Sequence, residues 1–369
     1  MNRGERIQDV SGHAKRTIAV IGSNSFSGSD FIDLLLEDPR NTVVGASRSA
    51  EKCAAFLPYK RHRESNFTFH QMDLNTDSDR MIRLLDTVKP NYIVNFAAQS
   101  EVAPSWIHPE HWFQTNVVSL AKLTNALKER DYLTRYVHIS SPEVYGTCEG
   151  RVLESAPLNP STPYAASKAA AEIITSSYAR SFFDTKGVRV ATARGGNVIG
   201  GGDFSVDRIV PDIWRAVRAG EPVVLRNPNA ARPWQHVLDC LSGYFAFARG
   251  LDDGADLPRA LNFGPPNDAV PLRVAELASA VQGALGADQT WHHEEDHQRH
   301  EMRTLEIDSS KARQVLGWQD HLSGHLPITW LSDWYRAFDE GHDMRKVTLE
   351  QIAAYERLRA APVKASGVA

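Results

Sequence analysis

The segment TIAVIGSNSFSGSDFIDLLLED, residues 17–38, decides the fold. TIAVIG is a short apolar, β-branched run and reads as a buried strand, whereas FIDLLLED carries its apolar residues at helical spacing. Between them lies Gly22-Ser23-Asn24-Ser25-Phe26-Ser27-Gly28, a turn bounded by glycines. The alternation continues outward. TVVGASR (42–48), FTFHQMDL (67–74), YIVNFAA (92–98), YVHISS (136–141) and VRVATARGGNVIG (188–200) read as strands. MIRLLDTVK (81–89), SLAKLTNALKER (119–130) and YAASKAAAEIITSSYARSFF (164–183) read as helices. Strands alternating with helices imply an α/β protein with a Rossmann-type doubly wound parallel sheet, helices covering both faces. Such sheets bind ligands beyond the carboxyl ends of their strands, where the strand order reverses.

The glycine-bounded turn has the position and composition of a dinucleotide site. The turn is tight, and the backbone must approach a pyrophosphate at a helix N-terminus. The expected spacing is G-x-x-G-x-x-G; Gly22 and Gly28 fit it, but the middle position is Ser25, which is tolerable only if its φ is not strongly positive. Phe26 and Ser27 complete the candidate pyrophosphate loop. The second strand ends in Ser47-Arg48-Ser49, with no acid before Glu51. A hydroxyl and a guanidinium suit a ribose 2′-phosphate better than a free 2′-OH, so NADP is favoured over NAD, the alternative being that Arg48 is a solvated surface charge. Asp73, with Leu74 beside it, is placed to hold the adenine, and Asn95-Phe96-Ala97-Ala98 offers small residues against the cofactor.

Reactive groups concentrate in residues 140–168. SSPEVYG supplies Ser141 and Glu143, and YAASK supplies Tyr164 and Lys168. Tyr and Lys four residues apart share one helix face. A free phenol, pKa ~10, is a poor base at neutral pH; an ammonium one turn away favours the phenolate, as does an oxidised nicotinamide. Ser141 adds a hydroxyl that can share a hydrogen bond with the reacting oxygen. Together these groups can take a proton from a sugar alcohol while a dinucleotide takes the hydride. A YxxxK pair alone also occurs by chance in many helices; its company gives it weight.

Beyond residue 195 glycine and proline become frequent (NVIGGGDF, RNPNAARPW, NFGPPND), which suggests a smaller α/β substrate lobe interleaved with the first. The expected boundaries are a disordered leader at 1–16, a dinucleotide-binding domain at 17–195, a substrate lobe at 196–360 and a tail at 361–369. No run approaches the ~18 apolar residues of a membrane helix, no apolar signal stretch opens the chain, and a net charge of −4 gives no electrostatic footprint for nucleic acid. Three scattered cysteines fit a reducing cytoplasm. WHHEEDHQRHE (291–301) gathers four histidines, but in no standard ligand spacing, and reads as a solvated charged segment with no metal. The aromatics of TWLSDWYRAF (329–338) fall at core spacing.

From residue 17 onward these motifs resemble the extended short-chain dehydrogenase/reductase family of sugar-nucleotide epimerases and dehydratases. The matching segments are the glycine turn, NFAAQS, TNVVSL, SSPEVYG and YAASK. TARGGNVIGGGDFSVDRIVPD, RNPNAARPWQHVLD, NFGPPND, SSKARQVLGW and GHDMRKVTLEQIAAYE are similar to CDP-glucose 4,6-dehydratases, while AAQSEVAPSW is more similar to GDP-mannose 4,6-dehydratases. The resemblance implies cofactor contacts at Gln99, Asn116 and Ser140, and sugar-nucleotide contacts at Asn197 and Arg232, the arginine facing the diphosphate. Arg208 and Arg303 are further diphosphate or nucleotide candidates. It also implies a homodimer, with Ala166, Ala169, Ala170 and Ile173 pairing between subunits alongside Leu120, Leu123 and Leu127; packing within the monomer is the other use of the same residues, and the two are not exclusive.

One departure matters. 4,6-Dehydratases commonly carry Asp after the catalytic Ser/Thr, where this chain has Pro142, and Glu143 stands where the CDP-glucose enzymes have Lys. Proline donates no proton, so Glu143 is expected to act as base at C5 and, once protonated, as acid toward O6. Glu101, where relatives often have His, adds a second carboxylate. The leading expectation is an NDP-hexose 4,6-dehydratase. The rivals are an epimerase or a C6 decarboxylase using the same 4-keto intermediate, and a catalytically silent dinucleotide-binding regulator, against which the intact Ser141, Tyr164 and Lys168 speak.

Overall fold

The computed structural model describes residues 15–62, 66–252, 256–287, 291–294 and 302–361. Seven parallel strands form the central sheet: β1 (Arg16–Ile21), β2 (Asn41–Ser47), β3 (Phe67–Gln71), β4 (Tyr92–Asn95), β5 (Arg135–Ser140), β6 (Arg189–Gly195) and β7 (Ala260–Phe263), in the order β7-β6-β5-β4-β1-β2-β3. The order reverses between β1 and β4, so the crevice at their carboxyl ends is where a doubly wound sheet binds ligands.

Each face of the sheet is sealed by apolar helix surface. On one side α1 (Phe26–Leu36) buries Phe31, Ile32, Leu34 and Leu35 against Ile18, Val20, Val94 and Val137. On the other, α2 (Ser78–Val88) and α3 (Leu120–Leu127) bring Met81, Leu85, Leu120, Leu123 and Leu127 onto Ile21, Ile93 and Tyr136. At ~1.5–3 kcal/mol for each large side chain fully buried, these contacts are what fix the helices to the sheet. They also correct one expectation. Leu120, Leu123 and Leu127 are spent inside the monomer, as is Ala169. The outward surface of α4 (Pro163–Tyr178) is Ile173, at 61% exposure, with Ala166 and Ala170 half-buried.

The second half of the chain contributes to both bodies. β7 returns to the sheet edge and α6 (Val237–Gly250) packs with α1, so the sheet draws on residues from either side of the expected division at 195. A separate core joins α5 (Ile209–Ala219), α7 (Val274–Ala284) and α8 (Leu326–Asp339) through Ile213, Trp214, Leu277, Val281, Leu331, Trp334 and Tyr335, and the aromatics of residues 329–338 lie largely within it. Of the histidine-rich segment, His292 and His293 are exposed and pair with Val224–Leu225; residues 295–301 lie outside the described residues, as do 1–14 and 362–369 of the expected leader and tail. No described helix is long and apolar enough to cross a membrane.

Candidate active site

A cleft of about 720 Å³ opens at the carboxyl ends of β1, β4 and β5 and runs between the sheet and the second core. Its first wall is the turn after β1. Gly22 has φ +86°, and a Cβ there would stand 2.6 Å from the backbone nitrogen of Ala97, so only glycine lets the turn lie this close to the strand-β4 loop. A Cβ on Gly28 would meet the Gly22 carbonyl oxygen at 2.4 Å. Ser25, standing where a glycine was expected, has φ −68° and caps α1: its hydroxyl accepts from the Gly28 N–H at 3.0 Å and donates to the Gly22 carbonyl at 2.8 Å. The substitution is therefore unstrained, and it holds the turn closed. Ser25, Phe26 and Ser27 line the cleft at the positive end of α1, the setting a pyrophosphate requires.

The cofactor candidates divide into two groups. Ser25, Phe26, Ser27, Arg48, Ala98, Gln99 and Ser140 line the cleft. Gly22, Gly28, Ser47, Ala97 and Asn116 stand behind that lining and shape it: the Ser47 hydroxyl accepts from the Asn24 N–H at 3.4 Å, and Asn116 brackets Gln99, accepting from its N–H at 2.8 Å and donating to its carbonyl at 3.0 Å. Asp73 and Leu74 are not part of the wall. Asp73 turns its carboxylate to the Asn75 N–H, and Leu74 is buried in the sheet core. Lys52, not singled out in the sequence, lines the cleft beside Arg48. Its cue was only a cation shortly after β2.

The reactive residues meet in the middle of the cleft. β5 runs into a 3-10 turn, Pro142–Tyr145, with Ser141 as N-cap accepting from the Glu143 N–H at 3.2 Å and Pro142 in the first helical position, where its missing N–H costs nothing. The turn leaves Pro142 buried away from the cleft, while Ser141 and Glu143 line it. α4 starts at Thr162, whose hydroxyl accepts from the Ala165 N–H at 3.0 Å, and so presents Tyr164 and Lys168 one turn apart to the same space. Burial pushes the Tyr164 phenol up to about 12; the Glu143 and Glu101 carboxylates push the same way, and a hydrogen bond from Ser141 and the Arg208 guanidinium oppose them. Burial pulls Lys168 down to about 8, opposed by Glu172, and its ammonium donates to the Ile139 carbonyl at 2.7 Å.

Behind β5 lies a buried network with no counterpart among the sequence expectations. Arg194 of β6 forks onto Glu172 of α4, the Ser140 hydroxyl donates to Glu172, and Arg194 also donates to the Tyr145 hydroxyl, which itself donates to Asn262 at 2.8 Å. The Ser140 hydroxyl is thus committed to the network although the residue borders the cleft. Among the sugar-nucleotide candidates, Glu101, Asn197, Arg208 and Arg232 all line the cleft. Arg303 does not; its backbone carbonyl joins residue 231, and its neighbour Met302 takes the wall position.

A parallel doubly wound sheet with a glycine turn and a Ser-Tyr-Lys set at its switch point defines a nucleotide-dependent oxidoreductase-type fold. The chain belongs to the GDP-mannose 4,6 dehydratase family, whose model matches residues 20–325, within the extended short-chain dehydrogenase/reductases. It is 31% identical over 348 residues to a CDP-glucose 4,6-dehydratase of Salmonella typhimurium, covering 92% of this chain and 96% of that one. A dTDP-glucose 4,6-dehydratase of Xanthomonas campestris pv. campestris is 29% identical, with coverage of 86% and 93%. Among solved structures, the dTDP-glucose 4,6-dehydratase of Streptomyces venezuelae with NAD bound superposes with a TM-score of 0.75 at 25% identity, covering 89% of this chain and 99% of that one. The UDP-glucuronic acid 4-epimerase of Bacillus cereus, at 21% identity and a TM-score of 0.73, covers 87% and 99% and shares the fold.

Proposed function

We propose that the protein is an NDP-hexose 4,6-dehydratase of the CDP-glucose type, a lyase that converts an NDP-hexose to its 4-keto-6-deoxy form. The observation that carries the reading is Glu143: a carboxylate 8% exposed, lining the same cleft as Tyr164 and Ser141, where elimination needs a base for C5. The residues present fit a nicotinamide dinucleotide, given the close approach at Gly22 and the α1 N-terminus lined by Ser25–Ser27. When bound, that cofactor supplies a hydride acceptor for C4 and a donor for C6. The protein's part is then acid–base work. Tyr164, bridged by Ser141, takes the O4 proton; the resulting ketone acidifies C5; Glu143 takes the C5 proton and the 6-hydroxyl leaves. Asn197, Arg208 and Arg232 hold the sugar nucleotide, with planar guanidinium groups suited to its diphosphate.

NADP is placed ahead of NAD. Arg48 and Lys52 border the cleft after β2, and Glu51, the first acid there, is bonded to the Tyr59 hydroxyl and to Lys60 and does not line it. The reading includes a reducing cytoplasm, in keeping with Cys53, Cys148 and Cys240 as free thiols, and a homodimer built on the outward face of α4 around Ile173. A panel of NDP-hexoses, CDP-glucose first, analysed by product mass tests the assignment. Loss of water supports it; unchanged mass with inverted stereochemistry, or loss of CO₂ from a hexuronate, would replace it with an epimerase or a decarboxylase, and absence of any turnover with a silent regulator.

A further inference from the structure

Elimination of a hydroxyl needs two proton transfers, one from carbon to a base and one from an acid to the departing oxygen. Glu143 serves as the base, and Pro142, buried and unable to donate, serves as neither. Either Glu143 returns the proton it has taken to O6, or a second carboxyl on another wall of the cleft supplies it. Several carboxylates line it. Asp203 accepts from the Ser205 N–H at 3.0 Å and lies 3.5 Å from the Arg208 guanidinium; Asp212 is paired with Arg215. These groups, with Asp207, belong to the side of the cleft that leads into α5. Glu101 enters the cleft from a different element, the loop after β4, and the partners of its carboxylate are both on its neighbour Ser100.

Glu101 sits in the loop after β4, and that loop is pinned on either side of it. Two residues before, Gln99 is bracketed by both amide atoms of Asn116, which also donates to Ser167 of α4 at 2.9 Å. Four residues after, the Ser105 hydroxyl accepts from the backbone N–H of Tyr164 itself at 3.2 Å and donates to the Val102 carbonyl at 2.6 Å. The loop is thus clamped to the helix that carries Tyr164 and Lys168. The Glu101 carboxylate accepts from the Ser100 N–H at 3.1 Å, while the Ser100 hydroxyl receives Arg208 at 3.1 Å. The charges of Glu143 and Glu101 both push the Tyr164 phenol upward. With the substrate's C4 at Tyr164, O6 is three bonds further along the sugar, in the cleft that Glu101 and Glu143 both line.

We propose that Glu101 is the acid that protonates O6, a catalytic residue from the β4 loop working opposite Glu143 from the β5 turn; this rests on the dehydratase reading. The step balances. The C5–H bond breaks and its proton goes to Glu143. The electron pair forms the C5=C6 double bond as the C6–O6 bond breaks, and O6 departs as water with the proton of Glu101. Hydride addition at C6 and return of the proton from Glu143 to C5 complete the product, and half-exposed Glu101 is reloaded from solvent.

The test compares wild type and Glu101→Gln, both with bound dinucleotide, on the native NDP-hexose and on its 6-deoxy-6-fluoro analogue. Fluoride departs without a proton, so the analogue needs the base and not the acid. With the native sugar, the variant is expected to lose roughly 100-fold or more in water loss, the lower range for a missing general acid, while solvent deuterium still enters C5 and reduced cofactor builds up. With the fluoro sugar, it should stay within about threefold of wild type, and Glu101→Asp should recover part of the native rate. An equal loss on both sugars, or full turnover of the native one, overturns the role of Glu101 and leaves the dehydratase reading standing. A wild-type protein that removes water from no hexose overturns the dehydratase reading itself.

Discussion

Replacing Glu172 by Gln reaches the site from behind, since Glu172 does not line the cleft but holds Ser140, which does. Glu172 and Arg194 expose 6% and 7% of their side chains and form a forked ion pair that also receives Ser140. Breaking one partner of a buried pair costs ~3–5 kcal/mol because the other charge is left uncompensated. The amide keeps an acceptor for Arg194, which favours the lower end of that range. At ~2.1 cal/mol/K of unfolding entropy per residue, the 369-residue chain carries about 0.8 kcal/mol/K, so the apparent Tm should fall by about 4–6 °C. A second readout distinguishes a positioning role from plain stability. The Glu172 charge is what holds Lys168 up against burial, which leaves it at about 8. Protonated Lys168 exists below that pH and keeps its bond to the Ile139 carbonyl in the cleft wall, so kcat/KM should decline as pH rises through about 8, and Glu172→Gln should start that decline at lower pH. Differential scanning and a pH profile of kcat/KM measure both. A Tm within about 1 °C of wild type together with an unmoved alkaline limb would refute the network's role.

Glu143→Gln should preserve substrate binding and oxidation at C4 but reduce water loss by ~100-fold or more, with reduced cofactor accumulating at 340 nm in single turnover; full turnover would remove Glu143 from the mechanism. Arg48→Ala should weaken NADP by roughly 10- to 100-fold, the worth of a charge-assisted hydrogen bond, while titration calorimetry with NAD shows little change; equal small effects would make Arg48 a surface charge. Gly22→Ala should abolish dinucleotide binding and lower Tm, because the added Cβ meets a backbone atom at 2.6 Å and the φ of +86° is strained for alanine; a variant that still binds cofactor at wild-type affinity contradicts the close approach.

Local periodicity made the strand-helix alternation and the position of the ligand crevice legible, since each sheet strand before residue 200 is a short apolar run and each helix buries one face. β7 was hidden for a physical reason: four residues, Ala260–Phe263, form the edge strand, and the next residues are the glycine and prolines of a loop. Leu120, Leu123 and Leu127 illustrate the limit of surface reasoning, because a spaced leucine set serves a monomer core or a dimer seam equally well, and only the position of the sheet decides. Ser25 shows the opposite case. Its chemistry, a small hydroxyl before a helix, already specified an N-cap, a role that the glycine pattern alone conceals. The Glu172–Arg194 network could not be found from spacing, as it joins four segments distant in sequence.

The electrostatics of the site alter how the Tyr-Lys pair must work. On a solvated helix the two groups titrate close together, near pKa 10. Burial separates them in the adverse direction, the phenol to about 12 and the amine to about 8. The lysine is therefore the first to lose its proton, and its ammonium is bonded to the Ile139 carbonyl rather than spent on the phenol. What opposes the rise of Tyr164 is the Ser141 hydrogen bond and the charge of Arg208, a residue that enters from the second lobe. Both Arg208 and Glu101 are joined through Ser100. A sugar nucleotide that draws Arg208 toward its diphosphate would change the charge balance at the phenol as well as at the substrate, so substrate binding and the basicity of Tyr164 are linked through the same guanidinium.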